Sequence, residues 1–277
     1  MNRIDAHQHF WKFDPVRHNW ITNEMSVIKK DFLPHDLQPL LLKNNFDGCV
    51  VVQVDQSEKE TQFLIDLANE NDFIKGVVGW VDLKAENIEE KLEYYKTFNI
   101  VKGFRHILQA EEDRKFMLNS QFMRGIGLLK KNNFTYDILI YADQLKYVKA
   151  FAAAFPKQKF VIDHLAKPDI KHKNLDEWKK DIYAAAEYEN VYCKISGMVT
   201  EADWEKWKPD NFTPYLDTVA EAFGTNRLMF GSDWPVCLLA ASYSDAVNIP
   251  AKYFSAFSKL EQDKFFGSNA IRFYDLA

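Results

Sequence analysis

The chain is poor in sulfur. Its cysteines, Cys49, Cys193 and Cys237, are odd in number and widely spaced, so they make no disulfide framework. Cys49 and Cys193 lie in or beside apolar, strand-like runs and read as reduced core thiols. Positive charge is also in deficit. A net charge of −5 argues against nucleic acid as a partner, and the basic clusters Lys29-Lys30 and Lys171-His172-Lys173 are short enough to be solvated surface. No apolar run approaches the ~20 residues that a membrane helix needs. The first strand-like run starts at Arg3, which leaves no room for the apolar segment of a signal peptide. No Pro/Gly/Ser-rich linker or shift in composition marks a boundary. These absences lead us to expect a single cytoplasmic domain over residues 1–277, with no nucleic-acid or membrane partner and with a homo-oligomer left open.

What is abundant is aromatic: 22 Phe, 12 Tyr and 7 Trp favour a large packed core and an aromatic-lined site. Strand-like runs at 3–9, 48–54, 76–81, 101–105, 134–140, 160–163, 191–195 and 228–231 alternate with amphipathic helical stretches. Several runs, such as Cys49-Val50-Val51-Val52, are apolar without alternation, as strands covered on both faces are. Ser57 through Glu60 reads as a capping box ahead of Phe63, Leu64, Leu67 and Ala68. Ile88, Leu92 and Tyr95 repeat the helical spacing, as do Leu145, Val148, Phe151, Ala152 and Phe155. This is the size and rhythm of a (β/α)8 barrel. A doubly wound dinucleotide fold usually shows a Gly-rich turn after its first strand, whereas here Phe10-Trp11-Lys12-Phe13 follows. The long stretch 10–35 carries Trp11, Phe13, Trp20 and Phe32 and reads as a lid or wall of the site, or as packing over one barrel end.

In Asp5-Ala6-His7-Gln8-His9, two histidines two positions apart on a strand point the same way, able to grip a metal or a carbonyl oxygen together. At the other end of the chain, Phe230-Gly231-Ser232-Asp233-Trp234-Pro235 puts a carboxylate at a strand's C-terminal end, where barrels keep their chemistry. Arg105, His106, Asp137, His164, Lys194 and Ser196 fall at or near other strand ends.

With Lys30-Asp31-Phe32-Leu33-Pro34, Gly103-Phe104-Arg105-His106, Asp163-His164-Leu165-Ala166-Lys167-Pro168, Lys194-Ile195-Ser196-Gly197 and Asn269 through Tyr274, these motifs run the length of the chain. Across that length it resembles the amidohydrolase superfamily, in the branch of metal-light lactonases acting on L-fucono- or L-rhamnono-lactones and related to the 2-pyrone-4,6-dicarboxylate lactonases. The resemblance implies an α/β, TIM-like (β/α)8 barrel of the amidohydrolase type. It implies Asp233 as the base that activates water, His7, His9 and His164 around the lactone carbonyl, and Arg105 as an orienting group. A second shared lysine-bridged metal is not expected, because the fifth strand offers Asp137 and no lysine and the seventh has no histidine. No cofactor is strictly required. A single zinc would take His7, His9 and Asp233, three ligands with an open position.

Partial burial is expected to raise the Asp233 pKa toward neutrality. Arg105, His106, Asp137, Trp11, Trp234 and Lys194 are expected to bind the substrate. Of the arginines only Arg105 clearly sits at a catalytic strand end, which favours a neutral sugar lactone over a dicarboxylate lactone, although Arg17 and His18 could add positive charge. Two other readings compete: a zinc-dependent decarboxylase of a sister branch, and a sugar-binding barrel without catalysis.

Overall fold

The eight strand-like runs become eight parallel strands: β1 (Ile4–Gln8), β2 (Gly48–Val52), β3 (Ile74–Gly79), β4 (Val101–His106), β5 (Thr135–Ile138), β6 (Phe160–Ile162), β7 (Val191–Ile195) and β8 (Leu228–Phe230). They pair in sequence order. The structure, a computed structural model, describes residues 2–277. Helices α1 (Pro34–Lys43), α2 (Glu58–Glu70), α3 (Ile88–Lys96), α4 (Ser120–Leu129), α5 (Val148–Ala154), α6 (Asp176–Ala186), α7 (Thr213–Phe223) and α8 (Tyr243–Phe254) follow the strands in turn, and α9 (Lys259–Asp263) and α10 (Asn269–Tyr274) end the chain. The first and last strands meet through a parallel bridge between Gln8 and Trp234. There the His9 N–H donates to the Trp234 carbonyl at 2.7 Å and the Asp233 N–H to the His7 carbonyl at 2.8 Å. The result is a nearly closed, TIM-like (β/α)8 barrel.

Two apolar clusters follow from strand alternation. Outward residues such as Val51, Val77, Ile138 and Ile162 pack under the helices. Inward residues Ile4, Ala6, Val50, Val52, Val78, Val161 and Met229 form a small inner core, which Ala270, Phe273 and Tyr274 of α10 close at the N-terminal ends of the strands. All three cysteines are buried free thiols, Cys49 and Cys193 as the core reading expects.

β1 departs from strict alternation. Its pairing with β2 shifts register between Asp5 and Gln8. Ile4 and Ala6 face the inner core, while beyond the shift His7 reaches the interior residues Asp163 and Lys194, and Gln8 turns out to donate to the Cys49 sulfur. A bulge of this kind re-aims side chains beside a functional site. It puts both histidines on the interior face.

The capping box of α2 is only half made. Ser57 Oγ accepts from the Glu60 N–H, but the Glu60 carboxylate turns inward and accepts from the Val54 N–H at 2.6 Å. Burial pushes that carboxyl up to about 7. The segment 10–35 is pinned at its base by an antiparallel bridge between Trp11 and Phe32. It buries Ile21, Ile28 and Phe32 and leans on Trp234, with the Phe32 and Trp234 rings 5.2 Å apart. It is therefore a packed wall on the catalytic face, and α10 rather than this loop closes the opposite end.

Candidate active site

At the C-terminal mouth of the barrel, three imidazoles converge on one carboxylate oxygen. Asp233 Oδ1 lies 3.3 Å from His9 Nε2, 3.9 Å from His164 Nε2 and 4.0 Å from His7 Nε2. His9 Nδ1 is 2.7 Å from the Val52 carbonyl. A carbonyl only accepts, so Nδ1 carries a proton, and Nε2 is the ring nitrogen turned to the carboxylate. His164 Nδ1 meets Ser196 Oγ at 2.8 Å.

The backbone works against its own preferences to present these groups. His164, Leu165, Ala166 and Lys167 carry φ of 53°, 55°, 59° and 50°, and Asp233 carries 57°. Each left-handed residue costs ~1–2 kcal/mol, and such outliers cluster at functional sites. The turn after β6 is held by the Trp178 indole N–H donating to the Leu165 carbonyl at 2.7 Å. Gly197 leaves room for it: a Cβ there would stand 2.8 Å from His164 Nδ1.

Beneath the histidines lies a charged layer. Lys194 Nζ is 2.5 Å from Asp137 Oδ2 and 3.0 Å from Asp163 Oδ1. The Arg105 guanidinium donates to Asp163 Oδ2 at 3.0 Å and to the Gln53 carbonyl, and its Nη1 is 3.3 Å from His7 Nε2. The Tyr274 hydroxyl donates to Asp137 at 2.8 Å.

The charges set the protonation states. Burial pushes the His7 pKa well below its ordinary value, and Lys194 and His164 push the same way against Asp163. Burial likewise takes His164 down to about 4 against Asp233. For Asp163, burial would raise the carboxyl, but Lys194, His7 and Arg105 outweigh it and hold it well below the usual range. Burial also presses upward on Asp233, yet His164, His9 and His7 win and hold it low. The expected rise of the Asp233 pKa is therefore corrected: partial burial does raise a carboxylate, but three imidazoles facing it do more.

A family model described as amidohydrolase matches residues 4–276. The chain belongs to the amidohydrolase family. Among its relatives are L-fucono-1,5-lactonases: one from Burkholderia multivorans is 38% identical, over 99% of this chain and 96% of its own. Another, from Burkholderia ambifaria, is 34% identical over 98% and 95%. A crystal structure of an amidohydrolase from Burkholderia multivorans with bound zinc superimposes with a TM-score of 0.97 at 38% identity, covering 100% of both chains.

For this amidohydrolase the structure gathers His7, His9, His164 and Asp233 at one mouth. Among the described residues, the compact triple around the mouth is His7, His164 and Asp233, with ligand atoms within 4.8 Å of one another. His164 thus joins the expected set of His7, His9 and Asp233, with His9 seated directly on the Asp233 oxygen. The donors fit a divalent ion, since imidazole and carboxylate are zinc ligands and their ligand atoms converge on one point of the mouth.

The other expected substrate contacts lie beneath or beside the mouth. Asp137 and Lys194 are each 0% exposed and satisfy one another beneath His7; both follow strand parity inward, but below the mouth. Trp11 and Trp234 are each 2% exposed. Trp11 packs among His18, Trp20 and Phe32, and Trp234 between Phe10 and Phe32, so both support the wall. Arg105 is tied to Asp163, His7 and Gln53. His106 lines the end of β4, its Nε2 2.6 Å from Glu111 and its ring stacked on Phe116. Sequence reasoning assigned no role to Asp163, Gln53 or Tyr274. Asp163 had a signal, since it precedes His164 and shares parity with the inward Val161. Tyr274 had none, because its partner is a whole barrel away in sequence. Beside the site, a cavity of about 150 Å³ runs between the first loop and α2, lined by Phe10, Trp11, Lys12, Arg17, His18, Lys59, Glu60 and Phe63.

Proposed function

We propose that this amidohydrolase hydrolyses a sugar-acid lactone of the L-fucono- or L-rhamnono-lactone type. The observation that carries the reading is the Asp233 carboxylate facing three imidazoles at the barrel mouth. The L-fucono-1,5-lactonase relatives, matched over nearly their whole length, support the substrate class.

The reaction is acyl transfer to water. Water adds to the lactone carbonyl carbon and gives a proton to Asp233. The bond from that carbon to the ring oxygen breaks, the ring oxygen takes the proton back from Asp233, and an open-chain hydroxy acid leaves. Asp233 is ionised at any working pH, so it is always ready to orient the water. A carboxylate held that low is a weak base, so donors at the developing oxyanion must supply much of the rate; one such donor is worth ~3–4 kcal/mol. His164 Nε2 stands where it can serve, whereas His7 Nε2 accepts from the Arg105 guanidinium. A divalent ion bound there would be held by His7, His164 and Asp233, with His9 on the same Asp233 oxygen, and would polarise the carbonyl or the water.

Substrate charge follows from Arg105. Its Nη1 serves Asp163 and His7 and its Nη2 the Gln53 carbonyl, so the guanidinium already has a carboxylate partner within the protein. A neutral polyol lactone fits better than a dicarboxylate. A panel of neutral sugar lactones and a dicarboxylate lactone, followed with a pH indicator, tests this. Turnover of the neutral lactones is expected, and turnover of the dicarboxylate alone would refute the reading.

A further inference from the structure

The charged layer beneath His7 is built like a second cation site. His7, Asp137 and Asp163 place one ligand atom each within 4.8 Å of one another, and all three residues are 0% exposed. At the centre of this triple sits Lys194 Nζ, 2.5 Å from Asp137 Oδ2, 3.0 Å from Asp163 Oδ1 and 3.1 Å from His7 Nδ1. The Tyr274 ring lies 5.5 Å from the same ammonium. Asp163 Oδ1 is buried and faces the Lys194 ammonium and, at 3.2 Å, His7 Nδ1. Asp137 and Asp163 are balanced by Lys194 and Arg105, and the balance fails if either cation is removed.

We propose that Lys194 is a built-in cation occupying what would otherwise be a second divalent-metal position. One imidazole and two carboxylates are a donor set for zinc, cobalt or manganese. An ammonium at their centre supplies charge and hydrogen bonds but has no open coordination position, so it fixes His7 in place without activating water. Lys194 is accordingly a positioning residue that acts through His7. Without the ammonium, two buried carboxylates face a single guanidinium, and uncompensated buried charge of this kind is strongly unfavourable. Capture of an ion relieves it, and metal binding then contributes directly to folding. The premise is the geometry of the barrel interior, and it stands whatever the substrate.

Wild type, Lys194→Ala and the double variant Asp137→Asn/Lys194→Ala, each stripped with chelator, are titrated with Co²⁺. Bound metal is counted by mass spectrometry after desalting. Wild type is expected to hold no more than one equivalent, Lys194→Ala one more than wild type, and the double variant to lose the extra ion. Two equivalents in wild type, or no gain in Lys194→Ala, would overturn the proposal. If stripped Lys194→Ala is unfolded, Co²⁺ added during refolding is expected to restore its circular dichroism, and a spectrum that stays unfolded overturns the proposal equally.

Discussion

His164 shows at the scale of one residue how the site spends stability. Its ordinary pKa of 6.5 is brought to about 4 by burial, against Asp233 and Asp163. In the unfolded chain the ring takes up a proton as pH falls through 6.5, whereas in the folded protein it does so only near 4. Its contribution to stability is therefore complete above 6.5 and is lost as pH falls toward 4. At ~1.4 kcal/mol per pH unit the loss is on the order of 3 kcal/mol. Denaturant unfolding of wild type and His164→Gln at pH 7 and pH 4.5 checks it: the wild-type curve should fall more steeply toward acid than the variant's, and parallel curves would contradict the assignment.

At the scale of elements, the seam between β1 and β8 decides where the catalytic groups stand. A Cβ on Gly231 would lie 2.5 Å from His7 Cβ, closer than side chains pack, so Gly231→Ala must push His7 or β8 aside. We expect a loss of ~1–3 kcal/mol in stability with a fall in kcat, read from thermal melts and initial rates; an active variant with unchanged Tm would show that the seam is looser than described. Here the sequence carried much of the information. His7 and His9 share a face, the eight strands stand where the apolar runs lie, and the Ser-Asp-Trp-Pro segment ends β8. The register shift in β1 was not legible, because a bulge depends on how β1 pairs with β2. The left-handed turn from His164 to Lys167 was hidden for a similar reason, since only Gly and Asn announce that conformation in sequence. Glu60 carried the pattern of a capping box, but burial beside Val54 drew its carboxylate away.

At the scale of the whole molecule, the two ends of the chain build one site. The first strand brings His7 and His9, the last brings Asp233, and α10 closes the inner core while its Tyr274 hydroxyl reaches Asp137 under the charged layer. Sequence alone could not show this contact, because nothing local to Tyr274 marks a partner in β5, and it could not show that Asp137 and Lys194 pair with each other beneath His7. Tyr274→Phe removes a hydrogen bond to a buried carboxylate and is expected to cost ~1.5–3 kcal/mol, measured by denaturant titration. An unchanged midpoint would mean that the helix is held by its apolar contacts alone. The central claim is that Asp233 handles the attacking water at this barrel mouth. It is tested most directly by the hydrolysis rate of an L-fucono-lactone with wild type and Asp233→Asn, each with and without chelator. The account predicts a loss of roughly 10²–10⁴-fold in kcat for a folded Asp233→Asn, and comparable turnover in the variant and the wild type would contradict it.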